Sequence, residues 1–131
     1  MIKFIKEYSG IIFDVNIQDK INLFTGYSGT GKTFAFGAIQ EYLKSNNVNT
    51  IYFDYRQIDY TTEQLISLCK NREVVILDNA DLYTTQELLD YLINSDKIIM
   101  CSIKNRYKYR FKAFGTYDIN YENTRLVIRR K

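Results

Sequence analysis

Between residues 21 and 103 the chain alternates apolar strand-like runs with amphipathic helical ones, and this alternation restricts the fold more than any other feature. INLFT at residues 21–25 is a short strand. It is followed by Ala35, Ala38, Ile39, Tyr42 and Leu43 at helical spacing, and Ser45-Asn46-Asn47 ends that helix. TIYFDY at residues 50–55 is β-branched and aromatic, and Thr61 or Thr62 then caps a helix carrying Leu65, Ile66 and Leu68. EVVIL at residues 73–77 is a continuous apolar run, as in a strand covered on both faces. Thr84 or Thr85 opens the next helix, with Leu88, Leu89, Leu92 and Ile93, and residues 97–103 make a fourth buried strand. Such alternation predicts an α/β fold, a three-layer αβα sandwich around a mainly parallel sheet of about five strands. The first twenty residues are expected to add a strand or hairpin, and residues 124–129 (TRLVIR) a closing strand.

Length and composition narrow the class. At roughly 100–200 residues per domain, 131 residues make a single domain, 1–131, in which residues 104–131 are a basic C-terminal segment. No apolar run reaches the roughly 18–20 residues that span a bilayer. Lys3, Lys6 and Glu7 interrupt the N-terminal hydrophobics, so neither a membrane segment nor a secretory leader is expected and the location is expected to be cytoplasmic. With no histidine, imidazole bases, imidazole metal ligands and His-containing triads are excluded. Cys69 and Cys101 are too few for a zinc site and sit among apolar neighbours, as buried free thiols do. Ile, Asn, Lys and Tyr are abundant and share A/T-rich codons, which suggests an A/T-rich genome such as that of a mobile element or phage. Charge is uneven: residues 1–96 hold 8 Lys+Arg against 13 Asp+Glu, whereas residues 97–131 hold 10 against 2. A basic tail on an acidic body points to an anionic partner.

Between the first strand and the first helix stands Gly26-Tyr27-Ser28-Gly29-Thr30-Gly31-Lys32-Thr33. It meets every fixed position of G-x-x-x-x-G-K-[ST] in the strand–loop–helix setting that motif requires. Its glycines allow backbone N–H groups to turn inward as an anion cradle, and the helix that follows adds the positive end of its dipole. Lys32 then reaches the β- and γ-phosphates and the Thr33 hydroxyl ligates Mg²⁺. Phe34 is grouped with the loop as part of the nucleotide-binding set.

On these residues the chain resembles the P-loop NTPase superfamily over roughly residues 20–105. The resemblance implies the P-loop NTPase fold and a second motif, an apolar strand ending in an acidic residue that holds the Mg²⁺ through water. Val74-Val75-Ile76-Leu77-Asp78 fits that description and makes Asp78 the metal residue. In the AAA and RecA-like branch the strands carrying the two motifs are separated by a further strand, and in small-molecule kinases and GTPases they are neighbours; the sequence leaves the order open. GTPases expect D-x-x-G where Asp78-Asn79-Ala80-Asp81 stands, and N-K-x-D, which is absent, so ATP is the expected nucleotide. The run at 77–81 is similar to the AAA-type motif, but Asn79 replaces the glutamate that activates water. An amide cannot take that proton, and general-base catalysis is worth about 10²–10⁴ in rate. Asp81 and Asp54 are the candidate substitutes, while Asn79 could orient water and Ser102 stands where AAA-type proteins carry a polar sensor. With no residues for a helical lid, the resemblance implies a minimal domain that a partner or a second copy completes.

Lys104, Arg106, Lys108, Arg110 and Lys112 recur at every second residue, with Tyr107, Tyr109 and Phe111 between them. In a strand this puts the cations on one face and the aromatics on the other, so an extended or hairpin segment is predicted with its basic face outward. That face suits nucleic-acid phosphate, or the nucleotide's own phosphates with Arg106 or Arg110 as an arginine finger; an edge strand kept soluble by charge has the same pattern. The leading expectation is a Mg²⁺-dependent ATP-binding protein with weak or partner-stimulated ATPase activity that contacts nucleic acid or another protein through this segment. A small kinase is the second reading, with Arg106 and Arg110 at lid-like spacing and Asp54-Tyr55-Arg56 near the acceptor. The third is a non-catalytic nucleotide-binding interaction protein, which Asn79 favours.

Overall fold

The computed structural model describes residues 1–25, 31–111 and 113–131. Among these residues the strands are β1 (Ile2–Tyr8), β2 (Ile11–Ile17), β3 (Ile21–Phe24), β4 (Thr50–Phe53), β5 (Val74–Leu77), β6 (Ile98–Ser102), β7 (Gly115–Glu122) and β8 (Arg125–Arg130). The helices are α1 (Lys32–Ser45), α2 (Thr62–Cys69) and α3 (Gln86–Ile93). All eight strands join one sheet in the order β1-β2-β8-β7-β3-β6-β5-β4.

The helices form where the periodicity places them. Thr61 caps α2 and Thr85 caps α3, each accepting a backbone N–H three residues on, and Thr61 with Gln64 completes a capping box. α1 ends at Ser45, and Asn47 takes the left-handed conformation just beyond (φ 59°). From β3 the chain crosses through α1 to β4, passing β6 and β5, and then steps back through α2 to β5 and through α3 to β6. Because crossovers between parallel strands keep one hand, reversing direction moves the helices to the opposite face. Accordingly Ala35, Phe36, Ile39 and Leu43 of α1 pack with Phe24, Val74, Ile76 and Met100, whereas Leu65, Leu88, Leu89 and Leu92 pack with Leu23, Val75, Leu77 and Cys101. Both cysteines are buried free thiols, and burial pushes Cys69 up to about 11 despite nearby Lys97 and Arg72.

The expected three-layer αβα sandwich with a mainly parallel sheet of about five strands is corrected. The protein is a curled, mixed, eight-stranded sheet with three helices among the described residues, richer in strand than that sandwich. β4-β5-β6-β3-β7 pair in parallel, but β7 turns back antiparallel onto β8, β8 pairs with β2, and β2 closes antiparallel on β1. Ile2, Phe4, Phe13, Val15, Leu126 and Ile128 then join the α1 side of the core. The added strands therefore curl around α1, in place of a further helix layer. The opposite face of this half carries exposed Ile5 and the half-exposed arginines Arg125 and Arg129, which clasp Asp14 at 2.7 and 2.8 Å. Burial opposes ionisation of Asp14, but the hydrogen bonds from Arg129 and Arg125 outweigh it and hold its carboxyl below the usual value.

The two halves are joined where residues 18–22 turn from β2 into β3. Tyr117 donates to Asp19 Oδ2 at 2.7 Å and accepts from the Gln18 N–H at 2.8 Å, and Arg130 reaches the same Oδ2 at 3.0 Å. The fully buried Asn22 spends its amide on the Asp19 and Ile99 carbonyls and its oxygen on the Asp19 N–H. Gly115, the first residue of β7, lies against this knot, and a Cβ there would overlap the Asp19 carboxylate. Gly115→Ala is expected to displace Asp19 and to destabilise the protein by about 2 kcal/mol, read from urea unfolding; a loss below half a kcal/mol would show that the knot yields freely.

Candidate functional site

The parallel register aligns the C-terminal ends of four strands. Phe53 pairs with Leu77, Leu77 with Cys101, and Phe24 with Ser102, so Thr25, Asp54, Asp78 and Ser102 stand along one edge. β6 lies between β3 and β5. The point where the crossovers reverse, between β3 and β6, is where open α/β sheets bind ligands, because neighbouring loops part there to opposite faces. Gly31 opens α1 at this crevice with φ 85°, and no acidic residue occupies the helix's first turn. The positive end of α1 is thus left uncompensated by its own side chains.

Strand alternation sends Tyr52, Asp78 and Ser102 to the α1 face. There the Asp78 carboxylate, 2% exposed, accepts three hydroxyls from three elements: Thr33 Oγ1 of α1 at 2.8 Å and Tyr52 Oη of β4 at 2.7 Å, both on Oδ2, and Ser102 Oγ of β6 at 3.1 Å on Oδ1. Ser102 Oγ also accepts the Asn79 N–H at 2.8 Å, and Tyr83 Oη donates to the Asp78 and Phe53 carbonyls at 2.7 and 3.0 Å, fastening the ends of β4 and β5. Burial, and then its bond to Asp78, push the Tyr52 phenol far above its usual range, so it stays a donor. Lys32 is half-buried beside this cluster. Its ammonium is held below the usual lysine value by burial and by Lys104, with Asp78 acting in the opposite sense.

The other residues singled out from sequence divide clearly. Gly26, Tyr27, Ser28, Gly29, Thr30 and Lys112 lie outside the described residues. Gly31, Lys32, Thr33, Asp78 and Ser102 come together at the crevice, and Phe34, exposed on α1, leans on Phe13 with ring centroids 5.4 Å apart. Asn79 follows Asp78 in the left-handed conformation (φ 52°) and lines a cavity of roughly 240 Å³ with Asp81, Leu82 and Lys104. Asp81 Oδ2 accepts the Lys104 N–H at 2.7 Å, and its buried Oδ1 has no partner among the described residues. Asp54 caps the short 3-10 turn Tyr55–Gln57 and is paired with Arg56 at 2.9 Å, which holds its carboxyl below the usual range against the opposing effect of burial.

The extended basic strand expected at residues 104–112 is also corrected. Asn105 caps a 3-10 turn, Arg106–Lys108, which rotates the side chains out of period two. Lys108 folds back onto the Asp81 carbonyl at 3.0 Å, while Arg110 is tied through its backbone to Gln86 of α3. Arg106 lies over the rings of Tyr107 and Phe114. Of the aromatics, Tyr109 is buried and Phe111 partly so, but Tyr107 is 83% exposed. The cations therefore do not share one outward face.

Three tyrosines at the site escape a reading of sequence. Tyr52 and Tyr83 sit in runs whose pattern signals packing alone, and Tyr121 comes from β7, a strand the pattern does not reveal. The Tyr121 ring presses on Gly31 so closely that a Cβ there would stand 3.2 Å from it. A period-two alternation from Tyr117 to Tyr121 is the signal that was available.

No protein-family model matches the chain, and no curated protein matches it. With the fold a curled mixed sheet of eight strands, membership of the P-loop NTPase superfamily in its AAA and RecA-like branch, with a minimal lidless domain, is withdrawn. No helix of the described residues is long and apolar enough to cross a membrane. Removing one donor from the Asp78 carboxylate tests the cluster: Tyr52→Phe is expected to lower unfolding free energy by about 1–2 kcal/mol, measured by urea denaturation, and an unchanged midpoint would show that Asp78 does not need that hydroxyl.

Proposed function

We propose that the chain binds Mg²⁺·ATP at residues 26–34 and Asp78, and that it is a slow or partner-stimulated ATPase which contacts nucleic acid or another protein through its basic C-terminal segment. One observation carries the first part: Thr33 Oγ1 and Asp78 Oδ2, 45 positions apart in the chain and both chosen from sequence as metal groups, lie 2.8 Å from each other. A hydroxyl and a carboxylate are hard oxygen donors suited to Mg²⁺, which commonly takes one or two protein groups and fills its remaining positions with water and phosphate oxygens. The metal would neutralise phosphate charge as it builds up on the bound nucleotide. Lys32 supplies a fixed positive charge, and partial burial strengthens its attraction for an anion.

Slow turnover follows from the groups around Asn79. Its amide takes up no proton, Asp54 is committed to Arg56, and one oxygen of Asp81 is committed to the Lys104 N–H. Asn79→Asp puts a carboxylate of the same shape at a left-handed position that Asp tolerates.

Saturating Mg²⁺·ATP, at about 100 times its Kd, is expected to stabilise the protein by about 2.7 kcal/mol and raise Tm by roughly 10 °C. Lys32→Ala should abolish the shift, and a wild-type protein whose Tm responds to neither ATP nor GTP would overturn nucleotide binding. In single-turnover assays with labelled ATP, Asn79→Asp is expected to accelerate phosphate release by about 10²-fold; a variant no faster than wild type would mean that a missing base is not what limits hydrolysis.

A further inference from the structure

On the α2 and α3 side of the sheet, next to the crevice, the structure holds a second and larger pocket of roughly 390 Å³. Thr25 and Thr116 form its floor, and Lys104, Arg106, Tyr107 and Lys131 stand around it. Four chain segments converge there: the end of β3, the turn after β6, the start of β7 and the end of β8. The backbone fixes this convergence, since the Lys131 N–H donates to the Thr116 carbonyl at 2.8 Å and Asn105 caps the turn that presents Arg106 and Tyr107. Among the described residues, three cations, three hydroxyls and the Asn105 amide line the pocket, and no acidic side chain does. Asp118, half-exposed and 3.4 Å from Lys131 Nζ, is the nearby acid that shares one of the cations. Tyr107 leaves most of its ring in solvent at the rim, held by Arg106, whose guanidinium sits 5.0 Å from the ring centroid and donates to the phenol oxygen at 3.2 Å.

We infer that this pocket binds a single-stranded polynucleotide, seating a backbone phosphate among Lys104, Arg106 and Lys131 and stacking a base on Tyr107. The inference deepens the nucleic-acid part of the functional reading above and rests on that part, not on ATP binding. Cations along a groove with an exposed aromatic ring are what a sequence-tolerant single-strand site requires, because every base offers a flat face and every linkage a charge. A duplex is a poor occupant: its bases are already stacked on one another, and a single concave pocket does not follow two backbones. An acidic polypeptide would meet the charges but leave the ring unused. Lys104 also lines the cavity of Asn79 and Asp81, so the two pockets share a wall.

Fluorescence anisotropy with a labelled fifteen-residue oligo-deoxythymidine, without nucleotide, tests the inference on the full chain. Wild type and Lys32→Ala are expected to bind alike, with log K falling against log salt at a slope of about −2, for three cations on a single strand. Tyr107→Ala should weaken binding about tenfold and Tyr107→Phe should restore it. Arg106→Gln and Lys131→Ala should each reduce the slope by about 0.7. Tyr107 and Lys131 are exposed and Lys32 and Arg106 half-buried, and an unaltered Tm establishes that each variant is folded. Four results would overturn the proposal: no binding at low salt, binding indifferent to Tyr107 and Arg106, a duplex of the same length held as tightly as the strand, or competition by polyglutamate at equal charge. Loss of strand binding in the presence of an intact Mg²⁺·ATP shift would remove this inference alone.

Discussion

A carboxylate buried at the end of a strand must be neutralised or fully hydrogen-bonded, and the Asp78 side chain meets that demand with hydroxyls from α1, β4 and β6. Each donor comes from a different element, so the bonds hold only when helix and strands are all in register. The cluster therefore acts as a check on the parallel part of the sheet as well as a site. Tyr83 extends the constraint to the backbone by clamping the ends of β4 and β5. The same arrangement directs the Asp78 carboxylate at Thr33, the contact on which the proposed Mg²⁺·ATP binding rests.

The crossover geometry explains why the chemistry concentrates where it does. Helix α1 lies on one face of the sheet and α2 and α3 on the other, and the direction of the connections reverses at the gap between β3 and β6. Into that gap point the N-terminus of α1 and the residues following β5 and β6. The curled half of the sheet serves this arrangement indirectly. Through Asp19, Asn22, Tyr117 and Arg130 it anchors the start of β3, and through Tyr121 it presses on Gly31 at the other end of the loop. Both flanks of the glycine-rich run are thereby braced by strands remote in sequence.

Local patterning made the parallel elements legible. The boundaries of β3 to β6 and of the three helices fall within one or two residues of their sequence expectation, since continuous apolar runs and threonine caps are short-range signals. The sheet's extent was not legible. β7 keeps period two from Tyr117 to Tyr121, but only Gly115 and Tyr117 are buried, so its apolar signal is weak. The basic segment misled for the opposite reason: its period-two charges mimic a strand, yet Asn105 caps a turn and Tyr109 is drawn under the Thr84 carbonyl. At the site, the residues carrying a motif were readable and the tyrosines were not. A tyrosine in an apolar run looks the same whether its hydroxyl meets water or a buried carboxylate.

By itself the sequence determined the helices, the four central strands and the glycine-rich run, all of which depend on spacing within a segment. The tertiary structure alone decided that β6 stands between β3 and β5, that two antiparallel hairpins curl the sheet around α1, and that Lys131 meets Arg106 across a pocket. Those outcomes rest on pairings between distant strands. Their edges present the same backbone donors and acceptors to every candidate neighbour, so only the packing of the whole core selects among them.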